Sequence, residues 1–374
     1  MCDHDEFVFQ GQRTVRGSAT GVKLPQAEAS GPGAATAALA LLRRLEEHDG
    51  RRRVMMGAIP FDPRRPAHLI VPDRVVVEDR PLHPSPVPSP AISAPDDVDY
   101  RSAVSAALRA IEVGLVRKVV LARAVDVEAD EPIDTGMLFS AFAAQNPDAY
   151  AFHVPLGDGG VLVGASPELL AAVEGGHLRS LPLAGTATRS ADPDHDAASR
   201  AALTASAKDQ DEHAILVAAL VEALTPITSE LHVPTEPEIV ATPQLWHLGT
   251  PVRGTLERGR NVLDVAYALH PTPAVGGVPA AAAADLIRIL ERDDREWYAG
   301  LVGWMDSSGD GEWAIALRCT RVEGSRARLF AGAGIVEGSS PDSEHAETGA
   351  KLGSAMRALG AVADVRLRVA AVTA

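Results

Sequence analysis

Cysteine is nearly absent from this chain: its 374 residues hold only Cys2 and Cys319, far apart and without a CxxC. That argues against a disulfide framework or a structural zinc site and suits a reducing cytoplasm. No apolar run approaches the ~20 residues of a membrane span. The first residues, Met1-Cys-Asp-His-Asp-Glu-Phe7, lack the basic n-region and apolar h-region of a secretory signal. Positive charge is scarce as well. Thirty-five Lys and Arg face 50 Asp and Glu, a net charge of −15, so nucleic acid and anionic membranes are poor partners. There is no internal repeat, P-loop or Ser-His-Asp signature. Gly332-Ala-Gly334 lacks the third glycine and the strand-turn-helix spacing of a dinucleotide site. The expectation is a soluble cytoplasmic protein that acts on a small molecule.

What is present is ample apolar material, 46% of the chain, enough for one large domain or two ordinary ones. Short β-like runs at 7–15 and 54–77 flank an Ala-rich helical stretch at 33–48. The five prolines of Arg80-Pro-Leu-His-Pro-Ser-Pro-Val-Pro-Ser-Pro90 exclude helix and central strand and read as an extended surface connection. Tyr100, Val104, Leu108 and Ile111 keep near-helical spacing over 96–113. Strands are predicted at 118–127, 149–155, 160–165, 171–174, 251–255, 301–305, 313–322 and 327–333. Helices are predicted at 134–145, 194–225, 262–269, 280–292 and 343–359, and 189–196 reads as a mobile loop. Strands and helices do not alternate regularly. That points to α+β, with a large and mostly antiparallel sheet system, over a doubly wound parallel sheet.

The most telling segment is Phe330-Ala-Gly-Ala-Gly-Ile-Val-Glu-Gly-Ser339 with Glu344, Glu347 and Lys351. On a helix these three charges share one face. Backbone N–H groups at Gly332 and Gly334 can bind an anion, and two adjacent carboxylates can hold a hard divalent cation. Together they suit a carboxylated substrate bridged by Mg2+; the alternative is a turn before a solvated acidic helix. Asp209 and Glu212 form a second i, i+3 pair leading an apolar helix, either a metal half-site or a favourable N-terminal charge. Lys118 opens the apolar run Lys118-Val-Val-Leu121. It is either an exposed edge residue or a desolvated amine able to act as a base. Glu168, in Gly164-Ala-Ser-Pro-Glu-Leu-Leu170, is either a helix-start acid or a buried general acid. His247 sits among apolar residues, as a satisfied core histidine or a substrate donor. Arg318 interrupts a β-like run and needs a carboxylate partner, internal or bound. Gly185-Thr186 is a further place where backbone can approach a ligand.

These pieces stand in a familiar order. The chain resembles the chorismate-utilising enzymes, and among them the isochorismate synthases. The resemblance rests on Lys118-Val-Val-Leu-Ala-Arg123, Gly164–Leu170, Pro182-Leu-Ala-Gly-Thr186, Lys208-Asp-Gln-Asp-Glu-His213 and Leu245-Trp-His-Leu-Gly-Thr250. It continues through Leu269-His-Pro-Thr-Pro-Ala-Val275, Trp297-Tyr-Ala-Gly-Leu-Val-Gly303, Gly311–Arg318 and Gly332–Lys351. Residues 96–374 would be the chorismate-binding catalytic region. Residues 1–95, matched mainly through Gly57-Ala-Ile-Pro-Phe-Asp62, would be the N-terminal part of the same fold, within one structural domain.

The resemblance implies a β-sandwich core with outer helices, Mg2+ as cofactor and chorismate as substrate. Lys118 would activate water for attack at C2, and Glu168 would protonate the departing C4 hydroxyl. Glu212 and Glu347 would ligate Mg2+, supported by Glu344 and Asp209. Tyr298 and Arg318 would grip the enolpyruvyl carboxylate with the Gly332 and Gly334 amides, while Gly185, Thr186, His247 and Lys351 complete the pocket. Related ammonia-using enzymes typically carry glutamine in place of Lys118, and some place a lysine nucleophile at the position of Ala184. Water is therefore the implied nucleophile, with no glutamine amidotransferase subunit and a monomeric protein. Relatives that also eliminate pyruvate to give salicylate tend to carry threonine where this chain has Ala274, so Ala274 favours stopping at isochorismate. Two departures stand out: His345, where relatives often have tryptophan, and Gly349 within the Glu347–Lys351 helix.

Overall fold

A computed structural model describes residues 5–81, 95–243, 245–363 and 365–368. Most of the proline-rich connection lies outside the described residues. The layering follows from strands that are apolar on both faces. In Glu6–Gln10, Phe7 and Phe9 enter one core and Val8 another. In Val161–Ser166, Leu162 enters the first while Val161, Val163 and Ala165 enter the second. Side chains alternate along a strand, so a strand buried on both faces must lie between two layers.

The first core separates a ten-stranded from a nine-stranded sheet. The second lies under helices Thr135–Gln145 and Pro341–Gly360, and the third joins helices Val98–Glu112 and Ala280–Leu290 to Val119, Leu121 and Ile335. Pairing is antiparallel throughout the described residues. The architecture is the α+β sandwich with outer helices expected from the sequence. Strands from residues 6–79 take places in both large sheets.

Three local readings need correction. The run 313–322 is two strands, Gly311–Ile315 in the smaller of the two large sheets and Cys319–Glu323 in the larger. The chain crosses between them at Arg318, whose φ of 49° places it in the left-handed region. The helix at 194–225 is two helices, Pro193–Ala205 and Ala207–Leu224, because the Ser206 side chain caps the second by accepting the Asp209 N–H. Residues 189–196 are tied down: Arg189 stacks on Trp246 at 4.5 Å, and Asp196 accepts from the Trp246 indole at 3.0 Å. A third sheet, Leu183–Thr188, Leu245–Gly249 and Glu238–Ala241, was legible only as isolated ligand-binding residues.

Gly349 sits inside the long helix Pro341–Gly360. A Cβ there would meet only Arg123 Nη2, at an ordinary 3.7 Å. Gly349→Ala should therefore stabilise the protein by about 1 kcal/mol, seen as a higher denaturation midpoint; a lower one would show that this helix tolerates no added stiffness or bulk.

Candidate active site

The strand Lys118–Ala129 sets one wall. Val119 and Leu121 point into the helix-covered third core, so Lys118, Val120 and Ala122 point the other way, toward the sandwich interior. Its antiparallel neighbour, Arg326–Ile335, sets Gly332 opposite Ala122 and Gly334 opposite Val120. Val120 donates its N–H to Gly276 O and Ala122 donates to Glu291 Oε1, both away from the glycine strand. Facing residues in an antiparallel pair either exchange both hydrogen bonds or none. Gly332 and Gly334 therefore turn their N–H and C=O groups away from the lysine strand, and there Lys351 Nζ donates to Gly332 O at 2.9 Å. A Cβ at 334 would lie 2.7 Å from Glu212 Oε1, so a side chain there would displace the Glu212 carboxylate.

A cavity of about 290 Å³ opens between these strands, the small third sheet and two helices, close to the lower end for ligand pockets (~300 Å³). It brings together most of the residues singled out by sequence. Glu168, Gly185, Thr186 and His247 line one side; Ala274, Tyr298 and Arg318 another. Asp209, Glu212, Glu347 and Lys351 line the helical side, with Gly332 and Gly334 on the strand. Lys118 and Glu344 stand one contact behind. Lys118 is fully buried and reaches Glu212 Oε1 at 2.8 Å. Glu344 is 1% exposed and accepts from Lys208 Nζ at 3.2 Å. Lys208 and Arg295, which also line the cavity, were missed by sequence reasoning. Lys208 carries a readable signal, four residues before Glu212 on one helix face; Arg295 carries none.

Charge is arranged in pairs. Glu212 meets Lys118, Glu344 meets Lys208, and Glu347 meets Lys351 at 2.6 Å. Burial acts to raise the Glu212 carboxyl, but the Lys118 charge and hydrogen bond, helped by Lys351 and Lys208, carry it below its ordinary value. Glu344 is raised by burial and by the neighbouring Glu347 charge, against the pull of Lys208. Glu168 is pushed up to about 7, mainly by burial; the Leu183 N–H and the charges of Lys118, Lys351 and Arg318 pull the other way without prevailing. Burial, then Arg318 and Lys351, push His247 down to about 3, so it is a neutral imidazole, 3.2 Å from Thr186 Oγ1. Among the described residues no carboxylate forms an ion pair with Arg318. Tyr298, Glu347 and Glu168 act on it as neighbouring groups across the cavity.

Among the described residues no three His, Cys, Asp or Glu groups converge into a ready-made metal cage. Mg2+ does not require one. It takes one or two carboxylates and completes its shell with waters and substrate oxygens. Glu212 and Glu347, both facing the cavity, with Glu344 close enough for Glu347 to raise it, fit that all-oxygen donor set.

Comparison with known proteins agrees with this geometry. A family described as chorismate binding enzyme matches residues 75–360. The chain is 44% identical over 323 residues to isochorismate synthase EntC of Escherichia coli K12, covering 82% of this chain and 81% of that one. It is 37% identical over 340 residues to isochorismate synthase DhbC of Bacillus subtilis, covering 85% and 84%. Among solved structures it matches MenF, the menaquinone-specific isochorismate synthase of Escherichia coli, with a TM-score of 0.81 at 25% identity, over 95% of this chain and 88% of that one.

Proposed function

The chain belongs to the chorismate-binding enzyme family, and on that premise we propose that it converts chorismate to isochorismate with Mg2+. One observation carries the reading. A single cavity offers a carboxyl raised to about 7, a buried lysine behind its wall and an arginine that forms no ion pair with a carboxylate among the described residues. Water attacks C2 of the ring as Lys118 takes its proton. The double bond shifts, the C4–O bond breaks, and Glu168 supplies the proton that lets the hydroxyl leave as water. Arg318 and Tyr298 hold the enolpyruvyl carboxylate, assisted by the Gly332 and Gly334 amides. Gly185, Thr186, His247 and Lys351 shape and polarise the remainder.

Mg2+, held by Glu212 and Glu347 and supported by Glu344 and Asp209, would neutralise the ring carboxylate and allow a dianion into an acidic protein. We further propose that residues 1–95 and 96–374 form one structural unit. It would work as a cytoplasmic monomer without a glutamine amidotransferase subunit. No helix among the described residues is long and apolar enough to cross a membrane.

The test is purified protein with chorismate, with and without Mg2+, followed by proton NMR and a coupled pyruvate assay. Mg2+-dependent isochorismate without matching pyruvate is the expected result, and Glu347→Ala should shift the Mg2+ titration steeply upward. Salicylate with equimolar pyruvate would replace the reading with a salicylate synthase. Intact chorismate would leave a binding protein.

A further inference from the structure

The lysine strand has an incomplete edge. Beyond the glycine strand, its other side is paired at Lys118 and Val119 by Gly277–Val278, and at Asp126 to Ala129 by Val365–Arg368. Between these two pairings no strand lies alongside it among the described residues. Backbone groups pointing out of such a gap need partners.

Two side chains supply them. Arg295 Nη2 donates to Val120 O at 2.7 Å, and Glu291 Oε1 accepts the Ala122 N–H at 2.7 Å. The alternating donor and acceptor are those a neighbouring strand would present at the same positions. The two side chains are themselves a buried ion pair, Nη2 to Oε1 2.6 Å, only 2% and 5% exposed. Arg295 Nη1 also donates to Val275 O at 2.6 Å, on the loop that carries Ala274. The Arg295 backbone carbonyl accepts the Tyr298 N–H, and Phe61 lies 4.2 Å from the guanidinium. One residue thus joins the base strand, the Ala274 loop and the Tyr298 turn.

We infer that the Arg295–Glu291 pair is a positioning device, substituting for a missing strand beside residues 120–122 and thereby fixing Lys118 relative to Ala274 and Tyr298. The inference rests on the proposed reaction, in which Lys118 is the base. Arg295 acts through Lys118 and the cavity walls and carries out no proton transfer. A planar guanidinium can serve Val120 O, Val275 O and Glu291 at once; a lysine ammonium lacks that fixed fork.

The experiment compares Arg295→Lys and Glu291→Leu with the intact protein, after circular dichroism has shown the variants folded. We expect kcat to fall by about a hundredfold, the scale of an ångström-sized misplacement, with KM for chorismate moving less than about threefold. In a Lys118→Ala background the same substitutions should cost almost nothing further, because contributions through one residue are not additive. Hydrogen exchange should speed up at the Ala122 amide in Glu291→Leu, which has no acceptor to offer it. An unchanged kcat in folded variants, or an equal loss with and without Lys118, would overturn the inference. Failure of the intact protein to consume chorismate would instead count against the reaction. The exchange measurement still decides in that case: an Ala122 amide as protected in Glu291→Leu as in the intact protein would sink the strand substitute.

Discussion

Glu168→Gln is expected to lose turnover by roughly 10²–10⁴-fold while becoming more stable than the parent at alkaline pH. The two effects share one cause. Glu168 lies on a cavity wall where burial raises its carboxyl from 4.5 to about 7. A protonated carboxyl near neutral pH can give its proton to a leaving hydroxyl, and glutamine cannot. In stability the sign is opposite. The folded state holds this proton more tightly than the unfolded chain does. The parent therefore loses stability as pH rises from 4.5 to about 7, and above that bears the full cost of a buried carboxylate. At about pH 8 the glutamine variant should be the more stable by up to ~3 kcal/mol, the difference vanishing near pH 4. For the parent, kcat/KM should decline as pH rises through about 7, since that ratio reports the free enzyme's acid. Denaturation at both pH values, with the rate profile, checks all three. A variant that keeps turning over removes Glu168 as the acid. One no more stable at pH 8 than at pH 4, relative to the parent, removes the raised carboxyl.

Lys118→Ala should be costly in a different way. Lys118 is wholly buried, and its partner Glu212 is 14% exposed, toward the cavity. Removing one member of a buried pair leaves an uncompensated charge, typically worth 3–5 kcal/mol or about that much. It also removes the proposed base, so turnover should fall by roughly 10²–10⁴-fold to a residual rate. Replacing both, as Lys118→Met with Glu212→Gln, should restore most of the stability because no charge remains stranded. Activity should stay lost, since base and metal ligand are both gone. Chemical denaturation of the single and paired variants beside a chorismate assay separates the two roles. Recovery of turnover in the paired variant would deny Lys118 its part in the chemistry, and an undisturbed single variant would show that the pair contributes nothing to folding.

Much of the cavity was legible because its residues violate local expectation. Lys118 stands in a run of valines, Glu168 between apolar strands, and Arg318 inside a β-like stretch. Charge placed where burial is costly has to be explained by a partner, and the partners turned out to share one cavity. The paired carboxylates of Asp209–Glu212 and Glu344–Glu347 were equally visible, because helical spacing puts i and i+3 on one face. Boundaries were less visible. The single serine that separates helices 193–205 and 207–224, and the left-handed turn at Arg318 that moves the chain between sheets, leave the apolar pattern on either side unbroken.

The sequence by itself determined the apolar runs of strands and helices and their irregular order, hence an α+β fold with a large antiparallel sheet system, and the identities of the charges inside it. Those are properties of each segment and its period. Only the tertiary structure decided which lysine neutralises which carboxylate, that no carboxylate among the described residues forms an ion pair with Arg318, and that Arg295 and Glu291 complete the edge of a strand some 170 positions away in sequence. Such pairings depend on distances between segments that no local pattern encodes, since a side chain meets its partner only after the sheets have set their register.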